Sequence, residues 1–324
     1  MSSSTGGARV RWDWRYSNRT GERVDLWVAL PPDLPCQPGP RIVRSSPPGF
    51  PGEPTLAGGP NRVAFVSLPP GELARLTVEV VLPDEPAGLA GPSPAPDPSA
   101  YLGSSALIQV NDEVRAEARA AVGEAASCVE RARRLFRHLL NTCRYVWPPS
   151  ERGSESMRKN RLGDCGEYSF LYAALCRSID LPCRVLIGTL LGRRMRPHVW
   201  NEVYLDGTGW IGVDVRVDEI VLERLAGRGA RWAARRLEHR FGRPRSDRLA
   251  FSVDPCVLLH PPFEERPAPE GARDLVVAGR QFAWGFETLE GAAPYLQPCY
   301  IRFHGNRAPA RPSDYVGRWR LRRL

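Results

Sequence analysis

The 324-residue sequence predicts an α+β protein in two parts, a β-sandwich followed by a domain in which a cysteine-bearing helix packs on an antiparallel sheet. Three observations lead there. The first eighty residues alternate apolar and polar with no helical period, residues 84–100 carry five prolines, and helical patterns after that stretch give way to strand patterns.

In the first part, Val10, Trp12, Trp14 and Tyr16 alternate, Asn18–Gly21 offers a turn, and Val24, Leu26, Val28 and Leu30 alternate again. This pattern predicts a β-hairpin, with further strands at 63–68 and 76–82 completing a sandwich over residues 1–83. Trp12, Trp14 and Trp27 are expected to pack in a core rather than to form a binding stripe. The prolines of 84–100 remove backbone donors and fix φ, so this stretch reads as a linker.

The second part, residues 101–260, opens with predicted helices at 112–121 and 125–141, the latter with Val129, Ala132, Leu135, Phe136, Leu139 and Leu140 on one face. A third helix is expected from Cys165 to about Ile179, ended by Leu181-Pro182, then strands at 184–191, 198–205 and 210–217. An arginine-rich helix over 219–240 and a strand at 249–259 follow. Residues 261–324 carry no motif and form a C-terminal extension of unclear structure, whose tail 318–324 is expected to fray.

Composition narrows the function. The 45 basic residues include one lysine, Lys159, and the net charge is +9. A GC-rich genome accounts for the arginine bias; so would an enzyme that acylates amines and gains by not displaying its own. The charge surplus favours acidic partners, but no nucleic-acid motif accompanies it, so nucleic acid is not expected. Eight cysteines without a CxxC pair point to reduced thiols and no zinc. The N-terminus has no charged flank followed by an apolar run, and no stretch approaches about 18 apolar residues, so a cytoplasmic protein without membrane association is expected.

The chemistry-bearing residues lie in the second part. Asp164 stands at an N-cap position and Glu167 three residues later completes a capping box, which puts Cys165 in the first turn of its helix. The exposed amides and positive dipole end there favour a thiolate, and the same turn, Gly166 included, can donate to an oxyanion. His198, 33 residues on, is the candidate acid and base; Asp214 would accept from its far ring nitrogen and fix its tautomer. Strand parity tests that pairing. Only an odd loop or a bulge between the two strands sets both side chains on one face, and Gly207 and Gly209 can supply the positive φ a three-residue loop wants. Tyr145 and Trp147 are further oxyanion or substrate candidates, and Arg193, Arg194 and Arg196 could steer an acidic substrate.

Four segments, Gly163-Asp-Cys165-Gly-Glu167-Tyr168, Leu181-Pro-Cys-Arg-Val-Leu-Ile-Gly188, His198-Val-Trp-Asn-Glu202-Val-Tyr204 and Gly209-Trp-Ile-Gly-Val-Asp214, together resemble the transglutaminase-like superfamily, in the form of bacterial members with a β-rich module before the core. The resemblance implies a papain-like core with Cys165 as nucleophile, His198 as acid/base and Asp214 as its orienter, and no cofactor. Val215 stands where many relatives have proline, and no acidic Ca²⁺-loop pattern is present, so no metal is expected. The superfamily spans several chemistries. Acyl transfer from a peptide, protein or carrier-bound donor to an amine leads; hydrolysis by a cysteine peptidase or amidase, amide-bond formation in a small-molecule pathway from a carrier-protein thioester, and an inactive binding module are the alternatives.

Overall fold

The computed structural model describes residues 7–51, 55–56, 59–83, 97–147, 149–191, 197–215, 241–242, 247–262, 276–277, 280–281, 292–293, 298–304, 314 and 317–324. The chain divides into two compact units, a β-rich one from residues 1–84, 187–197 and 247–324 and an α+β one from 85–186 and 198–246.

The β-rich unit begins with β1 (Gly7–Ser17), β2 (Val24–Leu30), β3 (Arg41–Ser46), β4 (Thr55–Leu56), β5 (Arg62–Leu68) and β6 (Leu73–Pro83). β1 pairs with β6 and β2 with β5, so β1 and β2 lie in different sheets and the expected hairpin is not formed. Alternation tells a strand which face to bury but not which neighbour to take. Here Val10, Trp12, Trp14 and Tyr16 from one sheet and Val24, Leu26 and Val28 from the other enter a single buried core, a sandwich packed face to face.

The α+β unit starts with a 3₁₀ turn (Pro98–Tyr101), then α1 (Asp112–Val122), α2 (Cys128–Thr142), β7 (Arg144–Tyr145), α3 (Ser154–Asn160), β8 (Leu162–Gly163) and α4 (Cys165–Ser178). Asn111 and Ser127 cap α1 and α2 through their side chains. Glu117 of α1 takes both terminal nitrogens of Arg161 at 2.6 and 2.9 Å and His138 of α2 at 2.7 Å, so His138 helps tie the helices together. α4 is buried on nearly all sides, which is why its sequence is apolar beyond one stripe. β9 (Cys183–Leu190), β10 (Pro197–Leu205) and β11 (Gly209–Val213) follow, in the sheet order β11-β10-β9. Arg184, fully buried on β9, pairs with Glu202 at 2.6 Å and lies 4.2 Å over the Trp210 ring.

The chain then returns to the β-rich unit with β12 (Arg248–Val253), β13 (Val257–Leu258), β14 (Val276–Val277), β15 (Arg280–Gln281), β16 (Ala292–Ala293), β17 (Cys299–Phe303) and β18 (Arg318–Arg323). β17 extends the sheet of β2 and β18 extends the sheet of β1. The expected frayed tail is therefore a paired strand, with Trp319 and Leu321 packed against the sandwich core. This moves the expected boundary at 260: residues 247–260 belong with the sandwich. Phe251 of β12 meets Trp12 at 4.9 Å between ring centroids, and the side-chain amides of Gln37 and Asn61 each bond both the N–H and the C=O of one β12 residue, Ala250 and Val253. The predicted helix at 219–240 lies outside the described residues. Among the described residues no helix is long and apolar enough to cross a membrane.

Candidate active site

The three candidate residues stand at the start of α4, on β10 and just after β11. Asp164 caps α4 in a complete capping box: its side chain accepts from the Gly166 N–H at 2.7 Å and from the Glu167 N–H, while Glu167 Oε2 accepts the Asp164 N–H at 3.3 Å. Cys165 is thus the first residue of the helix and is half-buried. Gly163, just before the cap, sits so close to the helix that an added Cβ would lie 2.5 Å from Glu167 Cβ and 2.8 Å from Met157 Sδ. The cap corrects one expectation. The Gly166 amide is engaged by Asp164, so it is not an oxyanion donor in this arrangement.

The carboxylates of Asp164 and Glu167 share one guanidinium. Arg152 Nη1 donates to Asp164 Oδ2 at 3.0 Å and to Glu167 Oε2 and Oε1 at 3.2 and 3.3 Å. Burial pushes the Glu167 carboxyl up to about 8, and the charge of Asp164 adds to the rise against the pull of Arg152. With its carboxyl raised to about 8, Glu167 adds little negative charge to the first turn of α4 near neutral pH. Sequence reading found Glu167 as a cap residue but missed Arg152, which stands in the loop before α3 with no periodic signal.

His198 and Asp214 meet through the hairpin of β10 and β11. Leu205 pairs with Gly209, so the loop is Asp206-Gly207-Thr208, and the odd length predicted from parity is found. Gly207 and Gly209 have φ of 73° and 86°, and the Thr208 N–H closes the turn on Leu205 C=O at 3.0 Å. Asp214 follows the last paired residue, Val213, and its Oδ2 lies 2.7 Å from His198 Nε2. Both side chains are buried, and Trp200, on the same strand face two residues past His198, stacks its ring 6.1 Å from the imidazole at 16°. The other ring nitrogen, Nδ1, is buried without a hydrogen-bond partner among the described residues. Asn201 of β10 donates to the Ser169 carbonyl of α4 at 2.9 Å, which holds the histidine strand against the first turns of the cysteine helix.

β7 runs parallel to β8, with Tyr145 opposite Gly163, and the Val146 N–H bonds the Gly163 carbonyl at 2.9 Å. Tyr145 and Trp147 therefore flank the segment that leads into Cys165, the first half-buried and the second 42% exposed. Arg193, Arg194 and Arg196 lie outside the described residues. Among the described residues, no group of three or more His, Cys, Asp or Glu side chains is placed to share a metal ion.

Residues 115–215, which hold the cysteine, the histidine and the aspartate, match the family model described as the transglutaminase-like superfamily. This region is a transglutaminase-like domain. No curated protein matches the chain. Among solved structures, a protein from Cytophaga hutchinsonii described as a candidate cysteine protease aligns at a TM-score of 0.51 and 15% identity, covering 76% of this chain and 82% of its own. The periplasmic domain of TgpA from Pseudomonas aeruginosa aligns at 0.42 and 16%, covering 71% of this chain and 93% of its own. At these identities the likeness to the Cytophaga protein is one of fold. The chain as a whole is α+β, as the sequence predicts.

Proposed function

We propose that the protein is a thiol acyltransferase in which Cys165 carries the acyl group, His198 moves the protons and Asp214 orients the imidazole. The observation that carries this reading is the buried 2.7 Å bond between His198 Nε2 and Asp214 Oδ2, which leaves Nδ1 as the ring atom available to a thiol. The Cys165 thiolate attacks the carbonyl carbon of a carboxamide or other acyl donor, and the electron pair moves onto oxygen. As the tetrahedral intermediate collapses, the leaving amine takes its proton from the imidazolium and an acyl thioester remains on Cys165. An acceptor amine then attacks the thioester, gives its proton to His198 and releases the thiolate.

An amine as acceptor fits the side-chain inventory. Arginine does not act as an acyl acceptor, because its guanidinium stays protonated, and the one lysine, Lys159, pairs with Glu155 at 3.3 Å. The protein thus offers its own thioester few competing amines. Incubation with a glutamine peptide or an acyl thioester plus a primary amine, read by mass spectrometry, tests the proposal. An amide adduct supports it, hydrolysis alone assigns a peptidase or amidase, and absence of any Cys165 acyl adduct assigns a binding module.

A further inference from the structure

One face of the sandwich bears most of the molecule's charge surplus. In the sheet ordered β18-β1-β6-β3, the buried residues of β1 turn Arg9, Arg11, Asp13 and Arg15 outward. The register sets Arg322, Arg320 and Arg318 of β18 opposite Arg11, Asp13 and Arg15. On the other side, Glu79, Thr77 and Arg75 of β6 face the same three residues, and β3 adds Arg41 and Arg44 beside Glu79 and Thr77.

The carboxylates in these outward rows, Asp13 and Glu79, are already engaged. Glu79 lies 3.7, 2.7 and 3.2 Å from Arg9, Arg11 and Arg41, and Asp13 takes Arg322 at 2.8 Å. Arg318, Arg15 and Arg75 stand directly opposite one another across three strands, all exposed and without an ion pair among the described residues. Like charges placed so destabilise a sheet. A fold that keeps such a row gains stability when an anion covers it.

We propose that this face docks an acidic segment of a partner protein. Guanidinium forks match carboxylates bidentately. Arginines two apart on one strand repeat at roughly 6.8 Å, the repeat at which an extended segment presents alternate side chains. The aromatic residues of β1 are buried on the inner face, which leaves β1 no stacking platform for bases, and among the described residues this face consists of strands with no helix to enter a duplex groove. Val81, beside Arg9 and 37% exposed, offers apolar contact that a peptide can use and a phosphate backbone cannot.

The test is the triple variant Arg15→Thr, Arg75→Thr, Arg318→Thr, compared with wild type for binding of a fluorescent oligoglutamate peptide and of an oligonucleotide of equal charge, at low and physiological salt, alongside thermal unfolding. The expected result is peptide binding weakened about tenfold or more, with an unchanged or raised melting temperature because the repulsion is relieved. Peptide binding that the variant leaves unchanged overturns the proposal, as does an oligonucleotide that binds wild type more tightly and is lost in the variant. If the triple variant folds but melts at a lower temperature than wild type, the row is structural and the proposal also falls; if the triple variant does not fold, the single variant Arg15→Thr, read in both assays by the same criteria, decides the matter.

Discussion

His198 and Asp214 meet because the loop between their strands holds three residues, which puts both side chains on one sheet face with Nε2 and Oδ2 2.7 Å apart. An Asp214→Asn variant keeps the shape but loses the charge that supports an imidazolium and sets the tautomer. Acyl turnover should fall by about 10²- to 10⁴-fold with little change in thermal stability. Rates of Cys165 alkylation by iodoacetamide across pH 5–9 give a substrate-free check: wild type should label at Cys165 ahead of the other thiols near neutral pH, and the variant should require higher pH.

Glu167 makes stability depend on pH in an unusual direction. Burial raises its carboxyl to about 8 in the fold, while the unfolded chain releases that proton near 4.5. Its contribution is whole below about pH 4.5 and is lost as pH rises through 8. Urea titrations between pH 5 and 9 should show wild type losing stability over this window. Glu167→Gln should flatten that loss, and an equal slope in the variant would reject the assignment.

Glu117 behaves oppositely. Burial alone would raise its carboxyl, but hydrogen bonds from His138 and Arg161 hold it down to about 2. The stability it confers is present above about pH 4.5 and disappears as pH falls toward 2. Glu117→Gln should therefore be destabilised at neutral pH and lose less than wild type on acidification to pH 3, measured by the same titration.

The Arg184–Glu202 pair tests the sheet beneath the site. Glu202→Ala leaves a fully buried guanidinium without its carboxylate and should cost about 3–5 kcal/mol. The double change Arg184→Met, Glu202→Leu should recover most of that loss, although Trp210 loses its cation partner. Urea unfolding of the set measures the coupling.

Much of the site was legible because its signals are local. The cap at Asp164, the box closed by Glu167 and the parity of the Leu205–Gly209 hairpin each depend on spacings of a few residues. What escaped depends on distant partners. β1 and β2 read as a hairpin because each alternates correctly, yet each finds its neighbours elsewhere in the chain, and Arg318–Arg323 read as a tail although Trp319 and Leu321 alternate with arginines as an edge strand does. Arg152 escaped for the same reason, because its two carboxylates lie 12 and 15 residues away on another element.

The pairing of β1 with β18 also bears on biosynthesis. A ribosome releasing this polypeptide presents Gly7–Ser17 long before the strand that flanks it exists, so one border of the first sheet waits uncovered until the chain between Ser17 and Arg318 has been made. The arginines at alternate positions of β1 are then well placed to discourage that border from pairing with another nascent copy.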